Sequence, residues 1–234
     1  DRAVILDNGD RIEFDRALVA TGGEPRTIGI PGENLPGVHL LRSLSDGEIL
    51  KGAVEDAETA VLLGAGFIGL ELAGSLRERD LQVHVVAPEE VPMARIFGER
   101  IGRWMQQRHE ENGAVFHLGT KAEKITADGE KKEVHLEDGT VLQADLVVVA
   151  IGIDPKVDCL RDTGLVEGGA VPVTGTLETK AAGVFAAGDI ARLPDHRDGT
   201  PRRVEHWVEA ERLGQHAGRC LMGSDDTYNE MPFF

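Results

Sequence analysis

Gly64-Ala65-Gly66-Phe67-Ile68-Gly69 has the spacing GxGxxG and follows directly on the apolar run "TAVLL". Glycine at these three places suits a tight turn at Gly64, a bare backbone at Gly66 and close packing of a helix at Gly69, helped by Ala73. A helix that starts here aims unpaired backbone N–H groups and the positive end of its dipole at whatever lies in front. The chemistry this suits is binding of a dinucleotide pyrophosphate, with Phe67 and Ile68 completing the loop.

Three glycines alone are a weak signal, so the neighbouring elements decide. A helix is expected from the loop to about Arg79, then a strand over "LQVHVV". The strand–loop–helix–strand order is therefore complete. The acid that usually ends the second strand and meets a ribose is absent: that place falls at Ala87 or Pro88, with Glu89 and Glu90 just after. Glu89 could reach a ribose hydroxyl, and two glutamates would repel an additional phosphate. The nearest arginine is Arg95. NAD(H) is expected in preference to NADP(H).

Downstream, Phe97, Ile101, Trp104, Met105 and Arg108 recur at helical spacing, and Asn112-Gly113 stops that helix. Trp104 and Met105 are expected in the core.

The elements around the loop belong to a repeat. Residues 4–26 align without gaps on residues 134–156, with Val4, Leu6, Gly9, Asp15, Val19, Ala20, Gly22 and Pro25 identical in both copies. Each copy reads as an alternating strand, an Asn-Gly or Asp-Gly hairpin turn needing positive φ, a second strand and a third, buried one. The last ends at a glycine, Gly22 or Gly152, as expected of a parallel strand opening into a ligand-facing turn. The second copy has the glycine loop upstream of it. The first copy's loop is then expected upstream of Asp1, and the non-Met start reads as a cut or processed one.

Composition sets limits. A formal charge of −16 and a pI near 4.9 argue against nucleic acid, whose phosphates need a basic face. No apolar run reaches a membrane span, since Glu71 interrupts the longest. Cys159 and Cys220 form no CxxC pair and read as buried small hydrophobes, which points to a cytoplasmic setting. The histidines form no HxH or HExxH, so no metal site is expected.

Further along, "GVFAAGD" reads as a buried strand ending in Gly188-Asp189, and "VEHWVEAERLGQHAG" as a helix with Trp207, Ala210, Leu213 and Ala217 on one face. Glu205 and His206 stand at its N-terminal end, where the helix dipole would favour negative charge.

These stretches carry a resemblance. "LVATGGEPR", "GIPGENLPGVHLLRSLSD", "VLLGAGFIGLELAG", "VPMARIFGERIGRWMQQRHEENGAVFHLGT", "VVVAIGIDPK", "GVFAAGDIA" and "RRVEHWVEAERLGQHAGRCLMG" cover nearly the whole chain. In that order they resemble the two-dinucleotide-fold flavoproteins of the pyridine nucleotide-disulfide oxidoreductase superfamily, in particular the ferredoxin/rubredoxin reductase and apoptosis-inducing-factor-like group. The resemblance implies an α/β chain: a three-layer Rossmann-like NAD(P)-binding domain at 32–154 inserted into a truncated FAD-binding domain at 1–31 and 155–224. Residues 225–234 would begin a C-terminal interface domain.

It further implies oxidation of NAD(P)H through FAD, with electrons passed to an iron–sulfur ferredoxin or rubredoxin-like acceptor. Glu71 resembles the family glutamate beside the nicotinamide, its catalytic residue here, and Gly152 would line the NAD site. For FAD, the resemblance implies Ala20, Thr21, Gly22, Gly188, Asp189, Glu205, His206 and Trp207. A disulfide reductase of the same superfamily, and an NADH-responsive redox-sensing binding protein, remain the alternatives.

Overall fold

A computed structural model describes residues 2–230 of the chain. They divide into two compact units, residues 25–153 and the flanking segments 2–24 and 154–230 taken together.

The first segment carries four short strands: β1 (Ala3–Ile5), β2 (Arg11–Glu13), β3 (Ala17–Val19) and β4 (Gly23–Pro25). The unit at 25–153 then runs β5 (Val38–Leu40), α1 (Leu44–Glu55), β6 (Thr59–Leu63), α2 (Phe67–Arg77) and β7 (Gln82–Ala87). It continues with α3 (Ala94–Phe97), α4 (Glu99–Glu111), β8 (Ala114–Leu118), β9 (Ala122–Asp128), β10 (Lys131–Leu136), β11 (Val141–Ala144) and β12 (Leu146–Val149). After β13 (Ile153–Pro155) come β14 (Val171–Pro172), β15 (Val184–Ala186), β16 (Ala191–Pro194), β17 (Pro201–Arg202) and α5 (Trp207–Leu221).

The unit at 25–153 is three-layered. Its parallel sheet has the order β5-β12-β6-β7-β8, so the strand that feeds the glycine loop is central. One face packs on α1 and α2 through Leu62, Val83, Val85, Ala73 and Leu76. The other packs on the antiparallel meander β11-β10-β9 through Val61, Leu63, Val86, Ile125 and Val134. A strand buried on both faces has no polar side to alternate, which is why "TAVLL" and "LVVV" read as unbroken apolar runs. Ile28 and Ile30 pack on this second core, so residues 25–31 belong here rather than with the segment before them.

The other unit centres on α5, whose Leu213, Ala217 and Cys220 pack on Val171, Leu177, Phe185 and Ile190. In it β3 pairs in parallel with β15.

The sequence repeat is a structural one. Val4 pairs with Ile12 and Ile5 with Arg11, as Val134 pairs with Leu142 and His135 with Val141, in the same register. The repeat also reaches segments that share little sequence: β15 lies along β3 as β5 lies along β12, with Val184 opposite Ala17 and Val38 opposite Val147. Within these two hairpin turns the glycines, Gly9 and Gly139, take a positive φ (87° and 88°). The preceding Asn8 and Asp138 do not, so each turn closes through its glycine alone.

Three expectations are corrected. Trp104 is 60% exposed and only Gly102 of α4 is buried, because a side-chain-free residue lets the helix press against Val91 and Pro92. The helix therefore packs on its glycine face, and Phe97 and Ile101 are exposed with Trp104. Trp207, 72% exposed, lies off the buried face of α5, which is Glu209, Leu213, His216, Ala217 and Cys220. Cys159 is exposed at a short 3₁₀ turn, whereas Cys220 is buried. Of the tail, Tyr228 is buried against α5, where its hydroxyl donates to Glu209 Oε2 at 3.0 Å; Met231–Phe234 lie outside the described residues.

Candidate functional site

The glycine loop leaves the carboxyl end of β6, the central strand. Gly64 has φ 116°, and a Cβ there would overlap the carbonyl oxygen of Ala150 at the end of β12. A Cβ on Gly69 would overlap the Gly64 carbonyl oxygen. Both glycines are buried, and both are required by contacts inside the protein.

Gly66 differs. Its φ of −84° suits any residue, and a Cβ there meets no atom within 4 Å. Gly66 is also the N-cap of α2 and offers no side chain to its first N–H groups. Nothing in the fold requires glycine at this place, whereas a ligand against the backbone would. α1 provides the contrast: Ser43 and Asp46 cap its N-terminus reciprocally, at 3.1 Å and 2.7 Å. One helix end is closed by its own side chains and the other is left open. That open, dipole-positive end fits a pyrophosphate.

Phe67 and Ile68 are exposed beside this end, and Phe67 meets Phe97 edge-on with centroids 5.8 Å apart. Glu71 is exposed one turn along α2. Gly152, with φ 106°, follows β12 on the same side of the sheet, and its carbonyl accepts from Arg26 N at 3.0 Å. Glu89 is exposed beyond β7, and its carbonyl accepts from Gly119 N. Glu90 lies over Gly119, where a Cβ would stand 2.8 Å from its carboxylate.

The other unit gathers a second set. Ala20-Thr21-Gly22 follows β3; Gly22 has φ 68° and accepts from Lys156 N at 2.8 Å, and Thr21 Oγ1 donates to the Lys156 carbonyl. Gly188, with φ 73°, turns the chain after β15 and sets Asp189, 8% exposed, in a 3₁₀ turn against α5. His206 is the N-cap of α5, with Nδ1 accepting from Val208 N at 3.2 Å. Since Nδ1 accepts, a neutral ring carries its proton on Nε2. Its ring stacks on Trp207. Glu205 pairs with Arg203 at 2.5 Å, and Arg203 Nη1 also donates to the Asp189 carbonyl at 3.1 Å.

Sequence reading missed Arg203, because its partner lies across a hairpin. It missed the Glu209–Tyr228 contact for a similar reason. Burial pushes the Glu209 carboxyl above its usual range, against the hydrogen bond from Tyr228.

A glycine loop at the end of a central parallel strand, with an open helix N-terminus, defines a dinucleotide-binding fold. The chain belongs to the pyridine nucleotide-disulphide oxidoreductase family, whose model it matches over residues 1–214. Apoptosis-inducing factor 3 of Mus musculus is 33% identical over all of this chain and 39% of its own length. Rhodocoxin reductase of Rhodococcus erythropolis is 34% identical over 99% of this chain and 54% of its own. The solved ferredoxin reductase for the CYP199A2 system from Rhodopseudomonas palustris superposes with a TM-score of 0.93 at 34% identity, over 99% of this chain and 57% of its own. The mixed α/β fold with its parallel sheet is thus that of the FAD/NAD oxidoreductases. The chain spans about half the length of these relatives.

Proposed function

We propose that the chain is the nucleotide-binding part of a flavoprotein that oxidises NAD(P)H through FAD and passes electrons to a ferredoxin- or rubredoxin-type acceptor. In this reading residues 25–153 form an NAD(P)-binding domain inserted into an FAD-binding one. The open space at Gly66 before an uncapped α2 carries it. Gly64, Gly66, Phe67, Ile68, Gly69 and Gly152 would hold the pyridine nucleotide, with Glu71 beside the nicotinamide. Glu89 and Glu90 would favour NADH over NADPH by opposing a 2′-phosphate.

Bound FAD would supply a two-electron acceptor that can release electrons singly. The chain's part is to hold and orient it: Ala20, Thr21 and Gly22 at one strand end, Gly188 and Asp189 at the neighbouring one. The N-terminus of α5, with Glu205, His206 and Trp207, would face the ring and favour negative charge on it. We read the setting as cytoplasmic from the two unpaired cysteines, Cys159 and Cys220. No helix among the described residues is long and apolar enough to cross a membrane.

Steady-state NADH oxidation with a [2Fe–2S] ferredoxin, compared with a disulfide substrate, tests the reading. Ferredoxin-dependent turnover is expected. Turnover on the disulfide alone identifies a disulfide reductase, and an NADH-dependent change of oligomer size without turnover identifies a redox-sensing binding protein.

A further inference from the structure

Two of the features that would face a flavin in the unit of residues 2–24 and 154–230 are the Asp189 turn and the start of α5. They lie far apart along the chain, with the β16–β17 hairpin between them. The hairpin pairs Leu193 with Arg202 and Pro194 with Pro201, which returns the chain to its starting point. Asp195 holds it from within, accepting from Arg197 at 2.7 Å and pairing with Arg202 at 2.9 Å. Arg203 stands at the base, immediately after β17.

From the half-buried Arg203, one nitrogen makes both contacts. Nη1 donates to the Asp189 carbonyl at 3.1 Å and meets Glu205 Oε1 at 2.5 Å. Glu205 directly precedes His206, which caps α5. The guanidinium therefore joins the backbone of the Asp189 turn to the residue just before the helix cap. Each feature also has its own anchor: the turn continues into β16, and α5 is packed through Leu213, Ala217 and Cys220. What Arg203 adds is their spacing at the end where a ligand would sit.

We infer that Arg203 is a positioning residue, which sets the Asp189 carboxylate against the α5 N-terminus and so shapes the flavin site without touching flavin. The assignment rests on reading this unit as the flavin-binding one. Removing the guanidinium strips the Asp189 carbonyl of a charged donor and leaves Glu205 unpaired, while the apolar core stays as it is. A hydrogen bond to a charged group, lost where it orders a site, corresponds to on the order of tenfold to a hundredfold in affinity. Lysine also presents several N–H groups from one nitrogen, so it can restore the bridge; glutamine cannot restore the ion pair.

The test uses the full-length protein with Arg203→Gln and Arg203→Lys. In Arg203→Gln, FAD affinity is expected to fall about tenfold to a hundredfold, with a shifted flavin midpoint potential and unchanged NADH affinity. Arg203→Lys should recover to within roughly threefold of the original protein. Without FAD, hydrogen exchange at the Ala191 amide, bonded to Gly188 O, and at the Ala210 amide, bonded to His206 O, should quicken together in Arg203→Gln. Unchanged FAD affinity, potential and exchange overturn the assignment. So does a loss of NADH and FAD binding alike that lysine does not restore. If the unmutated protein holds no FAD yet both amides still quicken, the link stands and the flavin reading falls.

Discussion

The hairpin of β1 and β2 and the hairpin of β10 and β11 share one register and one turn geometry, yet one is exposed and the other buried. Leu6 is 41% exposed and its counterpart Leu136 is 2% exposed; Ile12 and Leu142 stand at 52% and 8%. Around β10 the difference has a visible cause, since β9 lies alongside it and the central sheet packs beneath. β12, the third strand of the buried copy, has parallel neighbours on both sides, β5 and β6. Its counterpart β3 pairs with β15 alone among the described residues. The pattern of apolar residues therefore sets register, whereas burial depends on what packs against it.

The largest effect should come from the glycine that the buried copy's own packing demands. Gly69→Val is expected to destabilise residues 25–153 by more than about 3 kcal/mol, through overlap with the Gly64 carbonyl. Thermal unfolding followed by circular dichroism reads this directly, and a variant as stable as the original would break the packing account of the loop.

Next, the same substitution in each copy puts the comparison on one scale. Leu136→Ala should cost about 2–5 kcal/mol and Leu6→Ala no more than about 0.5 kcal/mol in this chain. Urea unfolding of both variants decides it. Repeating Leu6→Ala in a longer form of the protein sharpens it, because any cover over β1 and β2 raises the cost.

A smaller effect belongs to acid. His84 Nδ1 and His117 Nε2 lie 3.0 Å apart on adjacent strands, and burial lowers the pKa of both below 6.5; the neighbouring ring lowers His84 further, while Asp138 partly opposes the shift at His117. The unfolded chain then takes up protons below about pH 6.5 that the folded one refuses, so stability falls as pH falls through that window. His117→Gln should flatten this slope in pH-dependent denaturation, and an unaltered slope would remove the pair from the account. Smallest of all, Trp104→Ser should change stability by no more than about 0.5 kcal/mol; a loss the size of a core deletion, measured in urea, would restore the buried role its spacing suggested.

Much of this was legible in the sequence where a local backbone demand decided the matter. The turn at Gly64, the helix stop at Asn112-Gly113 and the hairpin glycines follow from conformations that few other residues adopt. The apolar strands at Thr59–Leu63 and Leu146–Val149 were legible because both faces are covered. Spacing alone could not say which face of α4 or α5 packs, so Trp104 was expected in the core and Trp207 was grouped with Leu213 and Ala217 of the buried face: helical periodicity groups side chains without naming their neighbour. Gly102 held the clue for α4, as a residue without a side chain marks close approach. The bridge from Arg203 to Asp189 and the His84–His117 pair required folded partners, one brought by a hairpin and the other by strand pairing.

Gly66 separates ligand binding from folding most cleanly, since a Cβ there finds no atom within 4 Å and the φ is ordinary. Calorimetric titration of NADH into the chain and into Gly66→Val therefore tests the central claim. Unfolding temperatures should agree to within a few degrees, while NADH affinity falls by on the order of a hundredfold or more in the variant. Equal NADH affinity in a folded Gly66→Val protein would contradict the assignment of this loop to a pyridine nucleotide.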